Sequence, residues 1–168
     1  MQHETTEHGA LRGLRLRAQL LAGPAARRAD QIVSHLLAVQ AQDLRAARLA
    51  LRARSRGLTA GDVDEALSAD RSLVVAWLGR GTLHLVHRDD YPWLLALTAP
   101  KRFSSNERRL RQEGISADDA ARAIGIIETA LGDEGALTRE DLRAHLQTYG
   151  ISGAGQAMPH LLMRSCLL

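Results

Sequence analysis

Two runs rich in β-branched and apolar residues, Leu73 to Leu78 and Thr82 to His87, face each other across Gly79-Arg80-Gly81. Glycines at both edges of so short a connection permit the left-handed backbone of a tight hairpin, and they leave an arginine at its tip. Nearly everything else in the 168 residues has helical spacing. Helices followed by a basic-tipped hairpin make a winged helix, a helix-turn-helix relative whose strand-built wing contacts a duplex. The expected fold is therefore mostly α, with tandem winged-helix units.

Residues 1–9 are polar and read as a disordered leader. A helix is expected from about Ala10 to Ala22, broken by Gly23-Pro24. A second spans about Arg27 to Val39, with Ile32, Val33, Leu36 and Leu37 on one face. Gln40-Ala41-Gln42 closes it, and Asp43 can cap a third helix that starts at Leu44. In that third helix Leu44, Ala47 and Leu51 form a core stripe, while Arg45, Arg48, Arg52 and Arg56 form a basic one beside it. Such a stripe is either a solvated face or a helix lying along a phosphate backbone.

Thr59 with Asp62, Ser116 with Asp119 and Thr138 with Asp141 have the spacing of capping boxes and open further helices. Another helix is expected from about Arg88 to Ala99, broken at Pro100, with Lys101 to Gln112 as helix or linker. A last helix, from Gln156 to Leu168, should be interrupted near Pro159. The organisation that follows is a first winged-helix domain over 10–99, a connection over 100–115 and a second unit over 116–168 that stops before its wing. An incomplete second unit should leave Leu161, Leu162, Leu167 and Leu168 short of partners and favour self-association.

The basic residues number 22, and all but Lys101 are arginine, although the net charge is only +3. Guanidinium groups fork onto phosphates and base edges, so a duplex DNA partner fits. Aromatics are few: Trp77, Tyr91, Trp93, Phe103 and Tyr149. That scarcity argues against a protein that stacks single-stranded bases, and the two tryptophans read as core anchors. Cys166 stands alone, which excludes an intramolecular disulfide, a CxxC zinc knuckle and an iron–sulfur cluster. His84 and His87 are three apart on a strand, so their side chains diverge and no metal pair is expected; His35 reads as partly buried. No apolar run approaches a membrane span and no signal peptide opens the chain, so a cytoplasmic, nucleoid-associated protein without metal or cofactor is expected.

Two segments carry a family likeness. Val39-Gln-Ala-Gln-Asp43 followed by Arg45-Ala-Ala47, and Leu73-Val-Val-Ala-Trp-Leu-Gly-Arg-Gly-Thr-Leu-His-Leu-Val86, resemble the winged-helix DNA glycosylases that unhook interstrand crosslinks, the AlkZ-like proteins. Leu137 to Leu142, Gly155-Gln156 and His160-Leu-Leu162 are similar to the second winged helix of that family more loosely. Departures are Leu44 in place of proline, Val75 and Ala76 in place of arginine and threonine, and Gly79 in place of a bulkier residue.

The resemblance implies a catalytic glutamine pair, Gln40 and Gln42. It also implies a monofunctional enzyme that hydrolyses the N-glycosidic bond of alkylated or crosslinked purines. A cationic alkylated purine needs little help to leave; the harder tasks are to place a water near C1′ and stabilise an oxocarbenium-like sugar. Neutral amides can orient water and present dipoles, but they are not strong bases at neutral pH. Arg45, Arg48, Arg52, Arg56, Arg80, Thr82 and His84 are the expected DNA contacts. Without the resemblance Gln40 and Gln42 read as ordinary surface amides. A non-catalytic, regulator-like DNA-binding module and an inactive glycosylase fragment stay open as alternatives.

Overall fold

The computed structural model describes the backbone of residues 2–168 and the side chains from residue 9 onward. The chain divides into two compact units, one running to Leu94 and the other from Leu95 to Leu168. Among the described residues there are eight helices and one small antiparallel sheet.

In the first unit α1 covers Gln2–Ala18, α2 Ala29–Leu36, α3 Leu44–Arg52 and α4 Ala60–Ser68. The strands are β1 (Val39–Gln40), β2 (Leu73–Leu78) and β3 (Thr82–His87), in the order β1-β3-β2. The hairpin has the bounds expected from composition. Gly79 and Gly81 have φ of 54° and 89°, a left-handed conformation that a Cβ would strain, so both glycines are required there. One face of the sheet sends Leu73, Leu85 and Ala41 into a core with Ile32, Val33 and Leu51 of α2 and α3. The opposite face carries Ala76, Leu78 and Val86, packed with Leu94 and half-buried Tyr91.

Several local expectations are corrected. Helix α2 ends at Leu36 rather than Val39, because Leu37 turns to φ 69°. The chain beyond it becomes β1, with Val39 opposite Leu85 and Gln40 opposite His84. The backbone from Gln2 is helical within the stretch read as a leader, while Met1 and the side chains of residues 2–8 lie outside the described residues. Helix α5 runs unbroken over Tyr91–Gln112 through Pro100, and so crosses the expected boundary at Ala99. Proline there removes one backbone donor, and the other turns of the helix hold. Trp93 is 47% exposed, its indole N–H donating to Asp90 at 3.1 Å, so it is no core anchor. His35 is exposed, held by a ring nitrogen 2.9 Å from the Ala18 carbonyl.

In the second unit α6 (Ala117–Glu134) packs against α7 (Arg139–Thr148) and α8 (Ala157–Ser165). Ile127, Leu146, Met158 and Leu161 are its buried centre, with Leu110 of α5. Pro159 sits in the first turn of α8, where a missing N–H costs no helical bond, so the expected interruption does not occur. Leu161 and Leu167 are buried and Leu162 packs against the same core. Of the four leucines expected to lack partners, only Leu168 is exposed.

The capping boxes at Thr59–Asp62 and Thr138–Asp141 are both closed. Hydrogen bonds from the Thr59 backbone and hydroxyl hold the Asp62 carboxyl below the usual carboxylate range, and those from the Thr138 hydroxyl and backbone do the same for Asp141. A carboxyl depressed in the folded state stabilises above its unfolded pKa, and that contribution is lost as pH falls through the folded value. The urea midpoint should therefore drop as pH is lowered from about 5 to below about 4. In Asp141→Asn part of that dependence should vanish; an unchanged pH profile would show that the box contributes nothing.

Candidate functional site

The alternation Val39-Gln40-Ala41-Gln42 is what places the glutamines. Val39 is half-buried and Ala41 buried, while Gln40 and Gln42 are exposed. This is the period of two that a strand imposes. The backbone N–H of Ala41 donates to the Leu83 carbonyl at 2.8 Å, extending the β1–β3 ladder by one residue. The next rung is made by a side chain: the Leu83 N–H donates to Oε1 of Gln42 at 3.1 Å. A backbone N–H can only donate, so the Gln42 oxygen must face it and the amide nitrogen is left to donate elsewhere. The Gln40 amide has no hydrogen-bond partner among the described residues.

Gln40 lies directly across from His84, and His84 lies across from Ala76 on β2. Direct bonding between the opposed residues Ala41 and Leu83 makes the neighbouring Gln40–His84 pair a non-hydrogen-bonded one. In such pairs the side chains approach most closely. His84 is half-buried, with Nδ1 2.9 Å from the Thr82 carbonyl. The contact Thr82 makes with this ring is through its backbone carbonyl.

The arginines expected to contact DNA separate into three groups. Arg45, Arg48 and Arg52 line an open cleft of about 310 Å³ with exposed Leu49, Thr59 and Ala60. Arg48 is already engaged there: its Nε lies 3.0 Å from Oδ1 of Asp64 and its Nη2 bonds the same oxygen. Arg56 lies beyond the end of α3, in a second cleft with Arg27 and Arg28 but also Asp30, Asp62, Glu65 and Asp70. Arg80 is exposed at the hairpin tip. Asp43 caps α3, its carboxylate accepting from the Arg45 N–H at 2.8 Å, which occupies it as a cap. Helix α4 carries Asp62, Asp64 and Glu65 and no basic residue.

The sequence model of one family, DNA glycosylase AlkZ-like, matches residues 33–167. The chain belongs to the AlkZ-like DNA glycosylase family. The matched span opens inside α2 and takes in the β1 glutamines, α3, the hairpin and all but the last residue of the second unit. AlkZ-like proteins are DNA glycosylases, so DNA is the substrate class of the family and the N-glycosyl bond is the bond it breaks. Searches among curated proteins and among solved structures return no match.

Two features of this AlkZ-like chain escaped the reading of the sequence. Where helical spacing predicts a helix running to Val39, the structure has strand β1, and Val39 to Gln42 alternates apolar and polar. The Arg48–Asp64 pair joins residues sixteen apart on different helices and leaves no local mark. No group of three or more potential metal ligands occurs among the described residues, and no helix among them is long and apolar enough to cross a membrane. His87 borders a separate open cleft with Asp30, Gln31, Ser34 and His35.

Proposed function

We propose that the chain is a monofunctional DNA glycosylase of winged-helix build, hydrolysing the N-glycosidic bond of alkylated or crosslinked purines in duplex DNA through Gln40 and Gln42. The observation that carries this proposal is the Gln42 oxygen bound to the Leu83 N–H, which turns its amide nitrogen outward beside the exposed Gln40. A water that accepts from the Gln42 amide and donates to the Gln40 carbonyl would be oriented for attack at C1′. The Gln40 carbonyl dipole also suits the positive charge that develops on the sugar.

The order α2, β1, α3, α4, β2, β3 with the sheet order β1-β3-β2 supports a winged helix in the first unit. Helices α6, α7 and α8 supply the helices of a second such unit. In this arrangement α4 takes the place of a groove-reading helix. Its three carboxylates face a polyanion unfavourably, which disfavours the rival reading of a regulator that inserts α4 into the major groove. DNA is held instead by Arg45, Arg52 and Arg80, with Arg48 spent on Asp64.

Neutralising Z phosphates gives a log–log salt slope of about −0.9Z on B-DNA. The double variant Arg45→Gln, Arg52→Gln should flatten that slope by roughly one to two units. An unchanged slope would make these arginines a solvated face.

The experiment that tests the function is release of free base from a duplex carrying a single N7-methylguanine, with borohydride present in a parallel reaction. Base should be released with the strand left uncut and no covalent adduct trapped. A lyase step needs an amine, and the only lysine, Lys101, is on α5, far along the chain from the glutamines. An adduct that disappears in Lys101→Ala would overturn the hydrolytic assignment, and no base release would overturn the enzymatic one.

A further inference from the structure

Two amides can place a water, but neither can take its proton at neutral pH. A proton acceptor beside them is supplied by β3. The His84 Nδ1 lies 2.9 Å from the Thr82 carbonyl, and a carbonyl only accepts, so Nδ1 carries the hydrogen. In the neutral ring that leaves Nε2 with its lone pair free to accept. The register puts this ring directly across from Gln40 in a close, non-hydrogen-bonded pair, with Cβ atoms about 4.5–5.5 Å apart in such pairs.

We propose that His84 is the general base of this site: its Nε2 takes the proton of the water held by Gln40 and Gln42. As the water oxygen bonds to C1′, the C1′–N bond breaks and its electron pair goes to the base nitrogen. An N7-alkylated purine, cationic when joined to the sugar, leaves neutral and needs no proton. The proton on Nε2 then passes to solvent, and the enzyme returns to its starting state. His84 thus moves from a DNA contact to a catalytic residue, and the assignment rests on the glycosylase activity proposed above. The backbone of Thr82 becomes the positioning group that holds the ring in the Nδ1–H tautomer.

Gln40 across β1 and Ala76 across β2 carry no titrating group, and neither do Thr82 and Val86, the same-face neighbours along β3. The apolar side chains of α5 packed on this face are Leu94 and Tyr91. A phenol titrates well above the range in which imidazoles protonate.

The test measures single-turnover release of N7-methylguanine from duplex DNA by the full chain between about pH 5 and pH 8. Wild type should slow as pH falls through the imidazole range. His84→Gln should be about 10² to 10⁴ times slower near neutral pH and lose that pH dependence, while binding the same duplex with a similar Kd. A second measurement, independent of any variant, is the ring ¹⁵N pattern of His84 at about pH 8, which should show the Nδ1–H tautomer. The assignment is overturned by wild-type rates in His84→Gln, by a slow variant that keeps the wild-type pH profile, or by an Nε2–H tautomer. Wild type that releases no base at any pH removes the underlying glycosylase reading, an outcome visible before any variant is made.

Discussion

Gln42→Ala should release N7-methylguanine about 10²-fold or more slowly than wild type, the scale of losing one oriented dipole in such a site. Gln40→Ala should lose a similar amount. The two losses have different causes. Removing Gln42 deletes the amide donor and also strips the Leu83 N–H of its acceptor, loosening the last rung between β1 and β3. Removing Gln40 deletes an amide that carries no structural bond among the described residues, so its stability should change little. Gln42→Ala should therefore lower both rate and melting temperature, and Gln40→Ala the rate alone. Single-turnover rates beside thermal melts separate them. Wild-type rates in both variants would return the pair to ordinary surface amides.

The second large effect is on stability. Leu85 is fully buried, opposite Val39 on one side and Val75 on the other, in the core beneath the sheet. Leu85→Ala should cost about 2–5 kcal/mol, lost burial plus the cavity left behind. A whole domain is typically stable by only about 5–15 kcal/mol, so the urea midpoint should fall steeply. Leu168→Ala, at a residue 72% exposed, should stay within about 0.5 kcal/mol. Equal midpoints for the two variants would mean that β3 does not anchor the glutamine strand to the core.

Features set by local chemistry were legible. The hairpin showed itself because β-branched runs and flanking glycines are short-range signals, and it occupies the expected residues. The capping boxes at Thr59 and Thr138 need only a hydroxyl and a carboxylate three residues apart, and both close as expected, whereas at Ser116 only the hydroxyl half forms, accepting from the Asp119 N–H. What depended on distant partners was not legible. Strand β1 is two residues long and exists because β3 pairs with it. The end of α2 lies at a leucine in a left-handed conformation, and no glycine or proline announces it.

The site divides in the same way. Gln40 and Gln42 stood out only through a family resemblance, since glutamine carries no chemical signature. Their relation to His84 is a matter of register between segments more than forty residues apart. An ideal helix would align the four arginines, but α3 ends at Arg52, so Arg56 leaves the stripe, and Arg48 pairs with Asp64.

The central claim is that DNA meets the edge built by β1, β3 and the hairpin tip, and not helix α4. The most direct measurement is amide chemical-shift mapping of the labelled chain with a duplex containing a tetrahydrofuran abasic analogue. Residues 39–42, 79–85 and the first turn of α3 should shift on titration, while the exposed face of α4 stays silent. Large shifts along α4 with residues 39–42 unmoved would contradict the account.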